Sequence, residues 1–314
     1  MKSSNQKKAY LSAFLYALII GFSFLFVKLA LSVTNPLNAL AHRFTIAFVA
    51  VSIPVLFGWV KLNITFKDLI SLLPISLFYP TLFFTFQTFG LVYVSSSEAG
   101  IIQATIPIFT MIMASIILKE HSTKKQKLSL LLSVTGVIYI FAMKGLGSNS
   151  TNFTGIILIL LCSVSSASYN VLARKVTRKY SIFDLTYIMT SLAFVIFNIL
   201  SISDFAIKGE LNTYFAPFTN LKFVIAIIYL GTLSSVISSM LSNFALSKIE
   251  ASKMSVFNNL STLITMVSGF VFLNESLYYY HLIGAIMIVL GLLGTNFLGK
   301  KSGKTLTKTL GKTS

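Results

Sequence analysis

The sequence predicts an all-α integral membrane protein: ten transmembrane helices forming two inverted five-helix repeats, with both termini in the cytoplasm. Three observations lead there. The 314 residues are 55% hydrophobic with a mean hydropathy of +0.83, too apolar for a soluble domain of this length. Apolar windows of about 20 residues recur along the chain, the length that crosses a bilayer core. Sliding the sequence by 155 positions lays Phe89 to Gly136 on Phe244 to Gly291 without a gap.

The windows run over about 10–32, 37–59, 67–91, 96–118, 124–143, 153–174, 182–203, 221–246, 252–273 and 277–299. Each is apolar on every face, whereas a membrane strand alternates apolar and polar residues, so a barrel does not fit. Segment 1 is too long for a secretory leader and lacks a small-residue cleavage site.

The formal net charge is +17, and its distribution sets topology. Lys2, Lys7 and Lys8 precede segment 1, and Lys61 and Lys67 separate segments 2 and 3. Lys119, Lys124, Lys125 and Lys127 follow segment 4; Arg174, Lys175, Arg178 and Lys179 follow segment 6. Lys248 and Lys253 follow segment 8, and five lysines fill the tail. The opposite side holds only Lys144, Lys208 and Lys222. Positive loops stay inside, so both ends are cytoplasmic and nucleic acid is not the implied partner.

The repeat explains the charge asymmetry. Phe89, Ser97, Thr110, Leu118, Glu120 and Gly136 meet Phe244, Ser252, Thr265, Leu273, Glu275 and Gly291. The loop after Glu120 contains Lys124, Lys125 and Lys127, while the loop after Glu275 has no lysine before His281. An odd number of helices per copy forces the second copy to enter the membrane upside down. The copies span 10–143 and 153–299, joined by a Gly/Ser/Asn-rich linker and followed by a basic tail at 300–314. Inverted repeats are a signature of secondary transporters, and such a bundle suffices as a monomer.

Short motifs then resemble a known family. Gly21-Phe22-Ser23 followed by Lys28 is similar to its opening-helix pattern, and Ala41-His42-Arg43-Phe44 to the arginine motif of its second helix. Pro107 followed by Leu118-Lys119-Glu120 resembles its proline and Gly-Glu signature, with Lys119 where glycine is common. Tyr169 to Arg174 resembles the opening helix of its second repeat, and Asn259 to Thr262 followed by Leu273-Asn274-Glu275 the second signature, with Thr262 in place of proline. These motifs identify the chain as similar to the EamA family of the drug/metabolite transporter superfamily. The resemblance implies a bacterial plasma-membrane permease of ten helices that exports or imports small metabolites, without an ATPase subunit.

In such folds polar residues within apolar helices face a central cavity. Gln103 and Asn258 superimpose under the shift, and paired carboxamides can grip amino, carboxyl or hydroxyl groups of a ligand, or hydrogen-bond between helices. Gln87 and Ser242 also coincide; Tyr79, Tyr169 and Asn170 are further lining candidates. Pro107 marks a kink, either a hinge or a simple bend. Arg43 lies deep enough to face the bundle interior, pairing with a carboxylate or drawing an anionic group. Lys28 lies about one turn from its helix end, where a lysine snorkels to headgroups.

Ser95 and Glu98 stand at capping-box spacing, and Glu98 and His42 are the proton-coupling candidates. Glu120 and Glu275 close their helices and fix the turns that follow. Cys162 is the single cysteine, so a cysteine metal site is excluded. His, Asp and Glu show no metal-ligand spacing, and no phosphate-binding loop, nucleophile elbow or dinucleotide motif is present, so no metal or cofactor is expected. The leading expectation is export of amino acids or related amphipathic compounds by alternating access. The alternative is a multidrug or organic-cation exporter; a remoter one is an integral-membrane enzyme acting on lipid-linked substrates.

Overall fold

A computed structural model describes residues 2–119, 123–145, 153–275 and 278–297. Glu120, His121, the linker through Asn152 and the basic tail lie outside these residues. The described chain is helical, without strands: α1 (Lys2–Leu31), α2 (Pro36–Leu56), α3 (Phe66–Tyr93), α4 (Ser96–Ile117), α5 (Lys124–Gly145), α6 (Phe153–Val176), α7 (Ile182–Lys208), α8 (Leu221–Lys248), α9 (Ala251–Leu273) and α10 (Tyr279–Phe297). Eight are long and apolar enough to cross a membrane; α5, with Lys124, Lys125 and Lys127 in its first turn, and α10 are not among them.

Local chemistry starts these helices. Asn35 caps α2 through the Asn38 N–H, with Pro36 at the first helical position, where its missing N–H costs nothing. Thr65 with Asp68 and Ser95 with Glu98 form reciprocal capping boxes at α3 and α4. Ser181 caps α7 through the Asp184 N–H. Left-handed residues sit at the C-terminal caps of α7 and α9, Gly209 (φ 72°) and Asn274 (φ 54°).

Two helices expected to be continuous contain π-helical segments, Leu77–Leu82 in α3 and Tyr229–Ile237 in α8. Pro74 and Pro80 account for the first, since each removes a backbone donor. In α3 the Thr81 hydroxyl donates to the Ser76 carbonyl five residues back, at 3.0 Å; in α8 Ser235 does the same to Leu230, at 2.9 Å. The regular stretches that follow, Phe83–Tyr93 and Ser238–Lys248, lie 155 positions apart. In α4 the helix breaks at Ala104–Thr105, and Pro107 falls in the first turn of the resumed helix rather than mid-helix. In α9 the break is at Val256, without a proline.

Packing exchanges partners between the halves. Opening helix α1 lies against α8 and α9, and opening helix α6 against α3 and α4; α2 pairs with α7 and α5 with α10. Apolar residues cannot drive this in lipid, so close approach and interhelical hydrogen bonds do. Gly21 of α1 shows the approach: a Cβ there would sit 2.6 Å from Ile264 Cβ and 2.9 Å from the Ser261 carbonyl. The Thr265 hydroxyl donates to the Gly21 carbonyl at 3.0 Å, and Thr262, at the proline position of the signature, to the Gly100 carbonyl at 2.8 Å.

Candidate functional site

The exchanged packing brings the polar residues of the helices to the centre of the bundle. Gln103 ends the first part of α4 and donates from Nε2 to Cys162 Sγ on α6 at 3.1 Å. Asn258 opens the second part of α9 and accepts from the Tyr16 hydroxyl on α1 at 3.2 Å. Each carboxamide thus reaches the opening helix of the other half. Both are buried, and Tyr16 and Cys162 lie within electrostatic reach of one another. The two carboxamides do not bond to each other; α6 holds Gln103 and α1 holds Asn258.

An aromatic wall joins these contacts. Tyr79, extended at φ −144° and ψ 125° inside the α3 π segment, stacks on Tyr169 of α6 with ring centroids 4.5 Å apart. The Tyr169 hydroxyl donates to Asn243 Oδ1 of α8 at 2.6 Å. The Tyr79 hydroxyl lies beside Ser238 and Ser239 without a partner at hydrogen-bonding geometry. Ser242 faces Tyr169 with its own hydroxyl unpartnered, as are Asn170 Nδ2 and both amide atoms of Gln87. Buried polar atoms left without partners are costly, so these are the positions where a polar ligand or water gains most. Of the residues expected to line a cavity, Tyr79, Tyr169, Ser242, Gln103 and Asn258 belong to this cluster. Gln87 and Asn170 are buried without a bonded neighbour that joins them to it.

Arg43 takes a separate place between α2, α3 and α8. Nε donates to Ser235 and Nη2 to Ser234, each at 2.9 Å, and the guanidinium carbon lies 3.8 Å from the Phe84 ring centroid. Its charge is felt by the Tyr79 and Tyr229 hydroxyls. The expected carboxylate partner is absent among the described residues. His42, beside it, meets Tyr214, Phe215, Phe218 and Phe223, and its Nε2 lies 3.0 Å from the Tyr214 carbonyl, a bond that fixes Nε2 as the protonated nitrogen. Asn38 donates to the same carbonyl, so the 209–220 connection is latched to α2. In that connection burial raises the Tyr214 phenol above its usual pKa.

Glu98 sits in the capping box with Ser95, its carboxylate accepting from the Ser95 N–H at 2.7 Å. Lys28 does not snorkel: its Nζ donates to the Leu91 carbonyl at 2.5 Å, with Glu98 and Glu275 as the nearby negative charges. Arg174 of α6 makes the corresponding contact, from Nη1 to the Leu246 carbonyl at 2.5 Å, and Leu91 and Leu246 are 155 positions apart. Glu275 reaches across to α4, and the turn after it lies outside the described residues. Its carboxylate accepts from the Ser96 N–H at 2.9 Å, the Ser97 N–H at 3.0 Å and the Ser97 hydroxyl. A carboxylate at a helix N-terminus satisfies orphan donors and complements the dipole.

Sequence reasoning overlooked Tyr16, Cys162 as a polar partner, and the Ser234–Ser235 pair. The serines carried a signal, adjacent hydroxyls three residues after Gly231 in an apolar helix; Tyr16 carried none, because its role depends on which helix faces it.

Comparison with known proteins agrees with this architecture. Residues 7–142 and 153–297 each match the EamA-like transporter family. An uncharacterized transporter of Bacillus subtilis (strain 168), YcxC, is 55% identical over 97% of both chains. An uncharacterized transporter of Archaeoglobus fulgidus is 25% identical over 87% of this chain and 92% of its own. A solved crystal structure with 15% identity superimposes at a TM-score of 0.69, covering 93% of this chain and 99% of its own, and so shares the fold. The chain belongs to the EamA-like transporter family and is a multi-pass membrane protein.

Proposed function

We propose that this protein is a secondary transporter that carries small amphipathic metabolites, such as amino acids, out across the bacterial plasma membrane by alternating access. In this reading α5 and α10 join the eight apolar spans, the two halves insert in opposite directions, and both termini are cytoplasmic. The observation that carries it is the reciprocal pair of contacts, Gln103 to Cys162 and Asn258 to Tyr16, buried where the halves meet. A site at the interface of opposed copies opens to one side when one end parts, and to the other when the opposite end does. Lys28 on Leu91 and Arg174 on Leu246 are suited to hold those two ends. The central cluster is neutral, of carboxamides, phenols and hydroxyls, which favours facilitated or weakly proton-coupled movement over tight coupling.

Flux tests it. Proteoliposomes loaded with amino acids, nucleosides and vitamins should release one class, with and without a pH gradient, and Gln103→Ala with Asn258→Ala should abolish that release. Folded, monodisperse protein that releases none of them would overturn the proposal.

A further inference from the structure

Among the described residues, Arg43 is a buried cation without a counter-ion. It is 1% exposed, and its contacts are two serine hydroxyls and the face of Phe84; Nη1 has no partner. Burying a charge costs several kcal/mol, and neutral hydroxyls and a ring recover only part of it. The acidic residues described lie toward helix ends instead: Asp68, Glu98 and Asp184 in first turns, Asp204 one turn before the end of α7, and Glu210, Glu250 and Glu275 just outside helices.

Next to Arg43 is a cavity of about 10 Å³, walled by Val27, Ala30, Leu40 and Leu230 with Thr88 as its other polar group. Thr88 is 2% exposed, and its hydroxyl is also unpartnered. Arg43 and Thr88 both line this void, and each carries a buried donor without a partner, an N–H and a hydroxyl. The void is at the lower limit for one water, so a larger group enters only when the helices around it part.

We infer that Arg43 and Thr88 form an anion subsite that receives the carboxylate of the transported molecule. The inference rests on the transporter reading above and narrows its substrate class. Phe84 lies against both the guanidinium, at 3.8 Å, and the Tyr79 ring, with centroids 5.2 Å apart, so Arg43 adjoins the Tyr79–Tyr169 stack across a single side chain. Organic cations are disfavoured, because Arg43 beside the neutral cluster offers them a fixed positive charge and, among the described residues, no carboxylate accompanies it.

The test uses the full-length protein in proteoliposomes loaded with matched triplets: each acid, its amide and the amine lacking the carboxyl group. Phenylalanine, phenylalaninamide and 2-phenylethylamine form one triplet; leucine, leucinamide and isoamylamine form another. The acid should leave at least tenfold faster than its partners in any triplet that moves. Arg43→Lys should keep part of that preference, and Arg43→Gln should remove it. Thr88→Val, which leaves the serine contacts of Arg43 untouched, should cut acid flux several-fold in protein that stays monodisperse. Release of amides or amines as fast as acids, or a preference unchanged in both Arg43→Gln and Thr88→Val, overturns the anion subsite while leaving transport standing. Release of no member from folded wild-type protein overturns both.

Discussion

Lys119 and Asn274 share the left-handed backbone conformation, each with φ 54°, and lie 155 positions apart. They are the non-glycine residues with positive φ among those described, and each follows the last turn of a helix, α4 and α9. The spacing is the one that superimposes the two halves of the sequence. Asparagine adopts this conformation at less cost than lysine. Lys119→Gly should therefore stabilise the protein by about 1 kcal/mol. Asn274→Ala should destabilise it by a similar amount, and both are read as opposite shifts in thermal unfolding of the purified protein.

Glu275 ties the end of α9 to the start of α4 through two backbone amides and the Ser97 hydroxyl. Glu275→Gln keeps the shape but replaces an acceptor oxygen by a donor nitrogen facing N–H groups. A loss of about 1–3 kcal/mol is expected, the cost of a buried donor left unsatisfied. A melting temperature equal to wild type would show that water or backbone shifts replace the carboxylate.

Gly21 is where α1 and α9 touch. A methyl group there meets the Ile264 branch and a backbone carbonyl, neither of which is the free end of a flexible chain. Gly21→Ala should cost about 1–3 kcal/mol by overpacking. Gly58, where a Cβ would meet nothing within 4 Å, lies at φ 70° outside the bundle; Gly58→Asn, a left-handed-tolerant change, is the control expected to fall within about 0.5 kcal/mol.

Much of this was legible in the sequence, and the reasons differ by level. Membrane spans follow from composition over a window, and the Ser95–Glu98 box from spacing along one helix, so both survive without tertiary information. The burial of Arg43 followed from its depth in α2. The partners of Tyr16, Cys162 and Glu275 did not, because they depend on which half packs against which opening helix. Lys28 was misjudged for the same reason: the Leu91 carbonyl that it meets belongs to another helix. The α8 π segment has no proline to announce it, whereas Pro74 and Pro80 hinted at the one in α3.

Cys162 is buried and free, so it can report opening at either end of the bundle. Lys28→Met removes the contact to Leu91, and Arg174→Met the contact to Leu246. Wild-type Cys162 should react slowly with a membrane-impermeant maleimide. The first variant should speed labelling from outside the cell, and the second should speed it from the cytoplasmic face of inverted vesicles. Equal acceleration from one side in both variants would deny that the two contacts hold opposite ends.

The most direct test of the opposed halves returns to Lys119 and Asn274, both exposed at the ends of matched helices. Cys162→Ser supplies a cysteine-free background, into which Lys119→Cys and Asn274→Cys are introduced singly. With impermeant maleimide on intact cells, Asn274→Cys should label at once, and Lys119→Cys only after the membrane is permeabilised. Labelling of both positions from the same side would contradict the inverted arrangement, and with it a transport site between opposed copies.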